Sequence, residues 1–246
     1  LGAGGFGTTI RAYDRAANTP VAAKCISLRK MSQERVDKEV ALTKRCAHDF
    51  VIQIIAAARH HDDYYIFMEL CHEELFTLVE RRGTLGESEA RRFFTQIMRA
   101  VDHCHALGVV HRDLKLENVM LTKANSVRVI DFGLAHRFKQ GLHAPPPLLY
   151  HCCGSRSYCA PEVLSQAGYS YDADVWSVGV ALFSMLLGFF PLEEASHADW
   201  RFDRLKRAQR EGKCSVTTIL QWYNKTTKLS VAALALPAGL PATNAP

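Results

Sequence analysis

The sequence predicts an α+β protein: a strand-rich first third with one helix, then a larger, mainly helical remainder. Three observations carry this. TTIRAYD and PVAAKCISL are short runs of β-branched and apolar residues, separated by RAANT, which is turn chemistry. After residue 75, Ala90, Phe93, Phe94, Ile97, Val101 and Cys104 recur at helical spacing. With 246 residues, 48% of them apolar, the chain can bury one large domain or two lobes sharing a cleft.

The first element is the glycine run LGAGGFGTTI, which fits two nucleotide sites. A dinucleotide-binding turn needs a strand before the glycines, a helix after them and an acid about 20 residues on. Only Leu1 precedes the run, Thr8, Thr9 and Ile10 open a helix poorly, and Lys24 and Cys25 occupy the acid's neighbourhood. A flap over nucleotide phosphates, continuing into a hairpin, fits instead.

A charged helix is expected over about 33–46, then a strand pair, FVIQIIAAAR and YYIFMEL, around the polar HHDD. The long helix after residue 75 has Thr84 and Glu87 as a capping box and Gly108 as its stop. VVHRDLKLENVML and SVRVIDFGLA read as strand–loop–strand, and residues 140–153 as a loop with three consecutive prolines. Val175 to Leu192 carries no charge, the length of a short membrane span. Gly188 and Pro191 break it and four acids crowd its ends, so a fully buried core helix is expected and no membrane span. Helices continue to about Tyr223. Residues 226–246 read as a low-complexity, disordered tail.

The net charge of +5 is scattered without a Lys/Arg run, which argues against a nucleic-acid partner. Eight cysteines contain no C-x-x-C pair. His103-Cys104-His105 and His151-Cys152-Cys153 lack zinc-finger spacing, so no metal cluster is expected there. No secretory signal opens the chain. Free thiols in a reducing cytoplasmic or nuclear setting are the expectation.

Further motifs follow the glycines in order: VAAK with Lys24, a helical Glu39, HRDLKLEN, DFG, APE and DVWSVG. This set resembles the eukaryotic protein kinase family, over roughly residues 1–200. The resemblance implies a two-lobed fold, a small lobe over 1–70 and a large lobe over 71–225. It implies transfer of the γ-phosphate of ATP, with Mg2+, to protein substrates. Lys115, two residues after Asp113, and GSRSYCAPE place the likeness in the Ser/Thr branch. It is most similar there to the calcium/calmodulin-dependent and AMP-activated-type kinases.

Phosphoryl transfer needs positioning and charge neutralisation. On the resemblance, Gly2, Gly4 and Gly7 let backbone N–H groups approach phosphate. Phe6 caps the flap, and Leu1, Thr9 and Ala22 face adenine. Lys24 holds phosphates and Glu39 orients it. Asn118 and Asp131 are the Mg2+ ligands. Asp113 accepts the substrate proton, Lys115 stabilises the transferred group, and Ser155 contacts both. His111 and Phe132 are packing pieces. Glu69 and Cys71 present backbone to adenine and Glu74 the ribose, although CHEELF is one residue shorter than usual. Glu74 and Glu117 are candidates to read a basic residue before the target Ser/Thr.

The chain also departs from the family. Thr9 replaces a valine. Thr43 puts a hydroxyl into the apolar column of Ile54, His111 and Phe132 that stands on Asp174. The usual C-terminal helices, with an arginine for Glu162, are not evident, which suggests a truncated or replaced end and a marginally stable chain. A pseudokinase or scaffold-type interaction domain is therefore the alternative. Finally, residues 134–153 hold no Ser, Thr, Asp or Glu. Arg112 beside Asp113 thus meets Arg137, Lys139, His143 and His151, with Pro145, Pro146 and Pro147 stiffening the loop. Switching by Ser/Thr phosphorylation within that stretch is not expected.

Overall fold

A computed structural model describes residues 2–4, 7–139, 147–230 and 233. Leu1, Phe6, His143, Pro145, Pro146 and most of the tail lie outside them. Strands β1 (Gly2–Gly4), β2 (Gly7–Asp14) and β3 (Thr19–Ser27) open the chain, then helix α1 (Gln33–Arg45), β4 (Ile54–His60) and β5 (Asp63–Glu69). They form one antiparallel sheet ordered β1-β2-β3-β5-β4. The β2–β3 turn closes because Asp14 Oδ1 accepts from the Ala16 and Ala17 N–H groups (2.9 and 3.0 Å) and Asn18 takes a positive φ of 55°. Val36 and Val40 of α1 pack with Ile26, Tyr64 and Ile66 of the sheet into a small core.

The remainder is mainly helical: β6 (Glu73–Glu74), α2 (Leu75–Arg82), α3 (Glu87–Ala106), β7 (Val109–Val110), β8 (Val119–Leu121), β9 (Val127–Val129), β10 (His136–Arg137), α4 (Pro161–Leu164), α5 (Asp172–Leu187), α6 (Trp200–Arg210) and α7 (Ser215–Trp222). The fold is the expected α+β arrangement. Its large core centres on α3 and α5, with Phe93, Ile97, Phe183 and Met185 fully enclosed. Each such side chain contributes about 1.5–3 kcal/mol. No helix among the described residues is long and apolar enough to cross a membrane.

Three expectations are corrected. The strand expected from Phe50 begins at Ile54, because residues 50–52 bond to β9 instead: Val129 N–H to Phe50 O and Ile52 N–H to Val129 O. The Thr84–Glu87 capping box does not form. Leu85 is buried and its N–H donates to Met185 O at 2.8 Å, which holds residues 84–86 against α5. The helix then starts after Gly86, and the Glu87 carboxylate bonds Ser230 Oγ at 2.8 Å. The helix over 172–187 is not buried throughout: Val175 is 40% exposed. Of the tail, residues 226–230 form no helix or strand, and Leu229 packs on the large core.

Gly188 ends α5 in the left-handed region (φ 75°), and a Cβ there would lie 2.1 Å from Gly83 O. Gly188→Ala is expected to cost at least about 1–2 kcal/mol from backbone strain alone. Gly212→Ala, with similar φ but nothing within 4 Å of its Cβ, isolates that strain. Urea unfolding of both variants checks this; the clash makes Gly188→Ala the worse.

Candidate active site

The site begins with an ion pair between two elements. Packing of Val36 and Val40 on the sheet sets the rotation of α1 so that Glu39 faces β3. Lys24 Nζ lies 2.7 Å from Glu39 Oε1 and 3.8 Å from Asp131 Oδ1. Burial works against the Lys24 charge, but the two carboxylates outweigh it and raise its pKa above the ordinary lysine value. Asp131 is also held ionised: burial opposes this, while Lys24 and the Gly133 N–H (3.2 Å) pull its pKa below the usual range. Its backbone is left-handed (φ 63°, ψ 76°), a strained state for a non-glycine residue that functional sites retain. Gly133 fills the space between the acids. A Cβ there would stand 3.0 Å from Asp131 Oδ1 and 3.4 Å from Glu39 Oε2.

Asp113 is the second centre. Its Oδ1 accepts from the N–H and hydroxyl of Ser155, both at 3.0 Å. Its Oδ2 meets Lys115 Nζ at 3.0 Å and Asn118 Nδ2 at 3.1 Å. Lys115 also donates to Ser155 Oγ at 2.9 Å. Asn118 is buried and spends its amide nitrogen on Asp113, including Asp113 O at 2.9 Å. Its Oδ1 is thereby left as an acceptor.

Both centres hang on Asp174, buried at the start of α5. Asp174 accepts from the His111 and Arg112 N–H groups (2.8 Å each) and from His105 Nε2 (2.8 Å). Burial would raise its pKa, but the His105 and His111 contacts hold it below the usual carboxylate range. His111 in turn bonds Ile130 O at 3.0 Å and packs edge-on against Phe132. Thr43 is buried without an unpaired hydroxyl: its Oγ1 donates to Glu39 O at 2.8 Å, and its methyl remains to pack.

Among the residues expected at phosphate and adenine, β1 and β2 pair Gly2 with Thr9 and Gly4 with Gly7, and Thr9 stands opposite Lys24. A Cβ on Gly7 would reach 2.1 Å from Cys25 O, so this glycine is demanded by the neighbouring strand. Ala22 is buried opposite Met68. The Glu69 N–H is already given to Gln53 O at 3.1 Å, which leaves its carbonyl as the backbone group still to be used. Cys71 lies just past the end of β5, its thiol pushed up to about 12 by burial. Glu74 is exposed, and its carboxyl is raised by burial and by Glu117.

A model of the protein kinase domain matches residues 1–236. The chain belongs to the protein kinase domain family. This family works on ATP with Mg2+. The kinase domain is 38% identical over 200 residues to CBL-interacting serine/threonine-protein kinase 9 of Arabidopsis thaliana, covering 79% of this chain and 44% of that protein. It is 37% identical over 202 residues to CBL-interacting protein kinase 33 of Oryza sativa subsp. japonica, covering 80% and 44%. It is also 37% identical over 199 residues to the carbon catabolite-derepressing protein kinase of Candida tropicalis, covering 79% and 31%. The chain thus spans about a third to a half of the length of these relatives.

Of the described residues expected at the kinase site, the structure brings together two groups. Lys24, Glu39 and Asp131 meet at one point, and Asp113, Lys115, Asn118 and Ser155 at another. Glu162 is half-buried with no cation within ion-pair distance among the described residues, and burial holds its carboxyl above the usual range. Sequence reasoning missed His105 on Asp174. It also missed Tyr169, whose hydroxyl meets Arg112 Nη1 at 3.3 Å and donates to His151 O at 2.7 Å. Arg112 also gives its Nε to Leu134 O at 2.6 Å. Its guanidinium is therefore held by neutral groups. A lone His or Tyr carries no motif that announces such contacts.

Proposed function

We propose that this kinase domain transfers the γ-phosphate of ATP to serine or threonine hydroxyls of protein substrates. The supporting observation is the Lys24–Glu39 pair at 2.7 Å with Asp131 facing the same ammonium. Lys24 holds the α- and β-phosphates as a point charge, and Glu39 fixes its direction. Asp131 and the free Oδ1 of Asn118 supply the hard oxygen donors that Mg2+ prefers, so the donor set fits that ion. Bound there, Mg2+ supplies neutralisation of phosphate charge. Asp113 receives the proton of the acceptor hydroxyl and aligns it, while Lys115 stabilises charge on the moving group. Ser155 keeps the Asp113 carboxylate in place. Gly2, Gly4 and Gly7 bring backbone to phosphate, Thr9 and Ala22 face adenine, and Glu69, Cys71 and Glu74 serve base and ribose. Glu74 and Glu117 sit in each other's field, which a substrate arginine before the target residue relieves. The division proposed is a small lobe over 1–70 and a large lobe over 71–225; the small core of Ile26, Val36, Val40, Tyr64 and Ile66 supports the first, while Leu42, Cys46 and Val51 pack into the large core. An intracellular, reducing location suits eight cysteines without a C-x-x-C pair.

Transfer from ATP·Mg2+ to a basic Ser/Thr peptide tests this. Lys24→Met and Asp131→Asn are each expected to lower the rate by about 10²-fold or more, with the far-ultraviolet CD spectrum unchanged. Equal rates in either variant and wild type refute the assigned role. A folded wild type that binds ATP and transfers nothing favours the scaffold instead.

A further inference from the structure

Three of the eight cysteines fall within eight residues of chain, at 152, 153 and 159, around the Gly154–Ser155 step that contacts Asp113. The catalytic reading uses none of them. Cys152 is exposed, Cys153 half-buried and Cys159 buried. Cys153 and Cys159 line one small cavity together with Arg112 and Tyr169. Cys159 Sγ donates to Cys153 O at 3.3 Å, and Cys153 Sγ stands 3.7 Å from Tyr169 Oη. Between them Gly154 runs at φ 93°, where a Cβ would lie 2.5 Å from Arg112 O and 3.4 Å from Cys159 Sγ.

We propose that Cys153 and Cys159 are a redox modification site, closed to a disulfide by peroxide, that withdraws Ser155 from Asp113. The regulatory half of this rests on the transfer reading above; the disulfide does not. The first step oxidises the more accessible thiol: Cys153–SH and H2O2 give Cys153–SOH and water. Cys159 then attacks the sulfenic sulfur, its thiol proton leaves with the hydroxyl as a second water, and the S–S bond forms. Burial, with the neighbouring Cys152 and Cys153 thiols and Asp113, pushes the Cys159 thiol up to about 12. That leaves little Cys159 thiolate, so Cys153 is the one that reacts first with peroxide and closure is the slower step.

Closure disturbs the site because the reduced arrangement uses both sulfurs elsewhere. A disulfide brings them to about 2.05 Å, so Cys159 gives up Cys153 O and Cys153 gives up Tyr169. The 153–154 peptide has to turn. Gly154 has no slack against Arg112 O, so the turn is passed to Ser155, whose N–H and hydroxyl hold Asp113 Oδ1. Tyr169 also ties Arg112 to His151, so the same movement loosens the support of Asp113 from the other side.

The test uses the full reduced chain, treated with hydrogen peroxide, alkylated and digested with trypsin without reduction. Cleavage after Arg156 puts Cys153 in peptide 140–156 and Cys159 in peptide 157–201, so the disulfide appears as a linked pair. The link is expected in wild type and Cys152→Ser, and absent in Cys153→Ser and Cys159→Ala. Peroxide is expected to lower peptide phosphorylation about tenfold or more in wild type and Cys152→Ser. Dithiothreitol restores it, and Cys159→Ala is insensitive. Absence of the link, its survival in Cys153→Ser, or closure between Cys152 and Cys153 alone overturns the site. A link that leaves transfer unchanged overturns its regulatory role. If the reduced chain transfers no phosphate, the transfer reading fails while the linked peptides still decide the disulfide.

Discussion

Asp113→Asn is expected to lower the rate of phosphoryl transfer by about 10²–10⁴-fold, the contribution of a positioned general base. The change is nearly isosteric, but an amide cannot take a proton from the acceptor hydroxyl. It also disturbs four contacts. Asp113 Oδ1 accepts twice from Ser155, and Oδ2 faces Lys115 and Asn118. An amide nitrogen in either position turns donor against donor. Nucleotide affinity is expected to stay close to wild type, because Lys24 and Asp131 belong to the other centre. Steady-state kinetics with ATP·Mg2+ and a Ser/Thr peptide, beside nucleotide titration, separate the two effects. An unchanged kcat sinks the assignment of Asp113 as base. A loss confined to nucleotide binding moves its role to positioning.

Asp174→Asn has the largest expected effect on stability, about 3–5 kcal/mol, the order expected when a fully buried carboxylate shared by several donors is lost. Its two oxygens take the His111 and Arg112 N–H groups and His105. An asparagine leaves at least one of these donors facing an NH2, buried and unpaired. Against a typical total stability of about 5–15 kcal/mol the variant is expected to unfold at much lower urea. Transfer falls with it, since the 111–113 backbone loses its anchor. The pH dependence has a definite sign. A folded-state pKa held below the unfolded value makes Asp174 stabilising above about pH 4. That contribution is lost as pH falls from there through the depressed folded value. Urea midpoints of wild type and variant at a series of pH values are therefore expected to converge on acidification. A constant gap down to low pH contradicts an ionised Asp174 as the anchor.

The sequence by itself determined the α+β class, the β2–β3 hairpin, helices α1 and α5, and the ordered residues of the site. These are legible because their signals are local. Alternation and helical spacing report one element at a time, and HRDLKLEN, DFG and APE keep their parts within a few residues. Only the tertiary structure decided where long-range partners override those signals. Thr84 and Glu87 spell a capping box, yet a hydrogen bond from Leu85 to Met185 across the fold moves the helix start. Phe50 to Gln53 read as strand, yet β9 takes Phe50 and Ile52 out of it. By its place in the sequence the Thr43 hydroxyl is a defect in an apolar column, yet it bonds Glu39 O. His105 reaches Asp174 across 69 positions, and Arg112 reaches Tyr169 across 57. No residue pattern encodes such pairs, because the distance that matters is set by how α1, α3 and α5 pack, not by spacing along the chain.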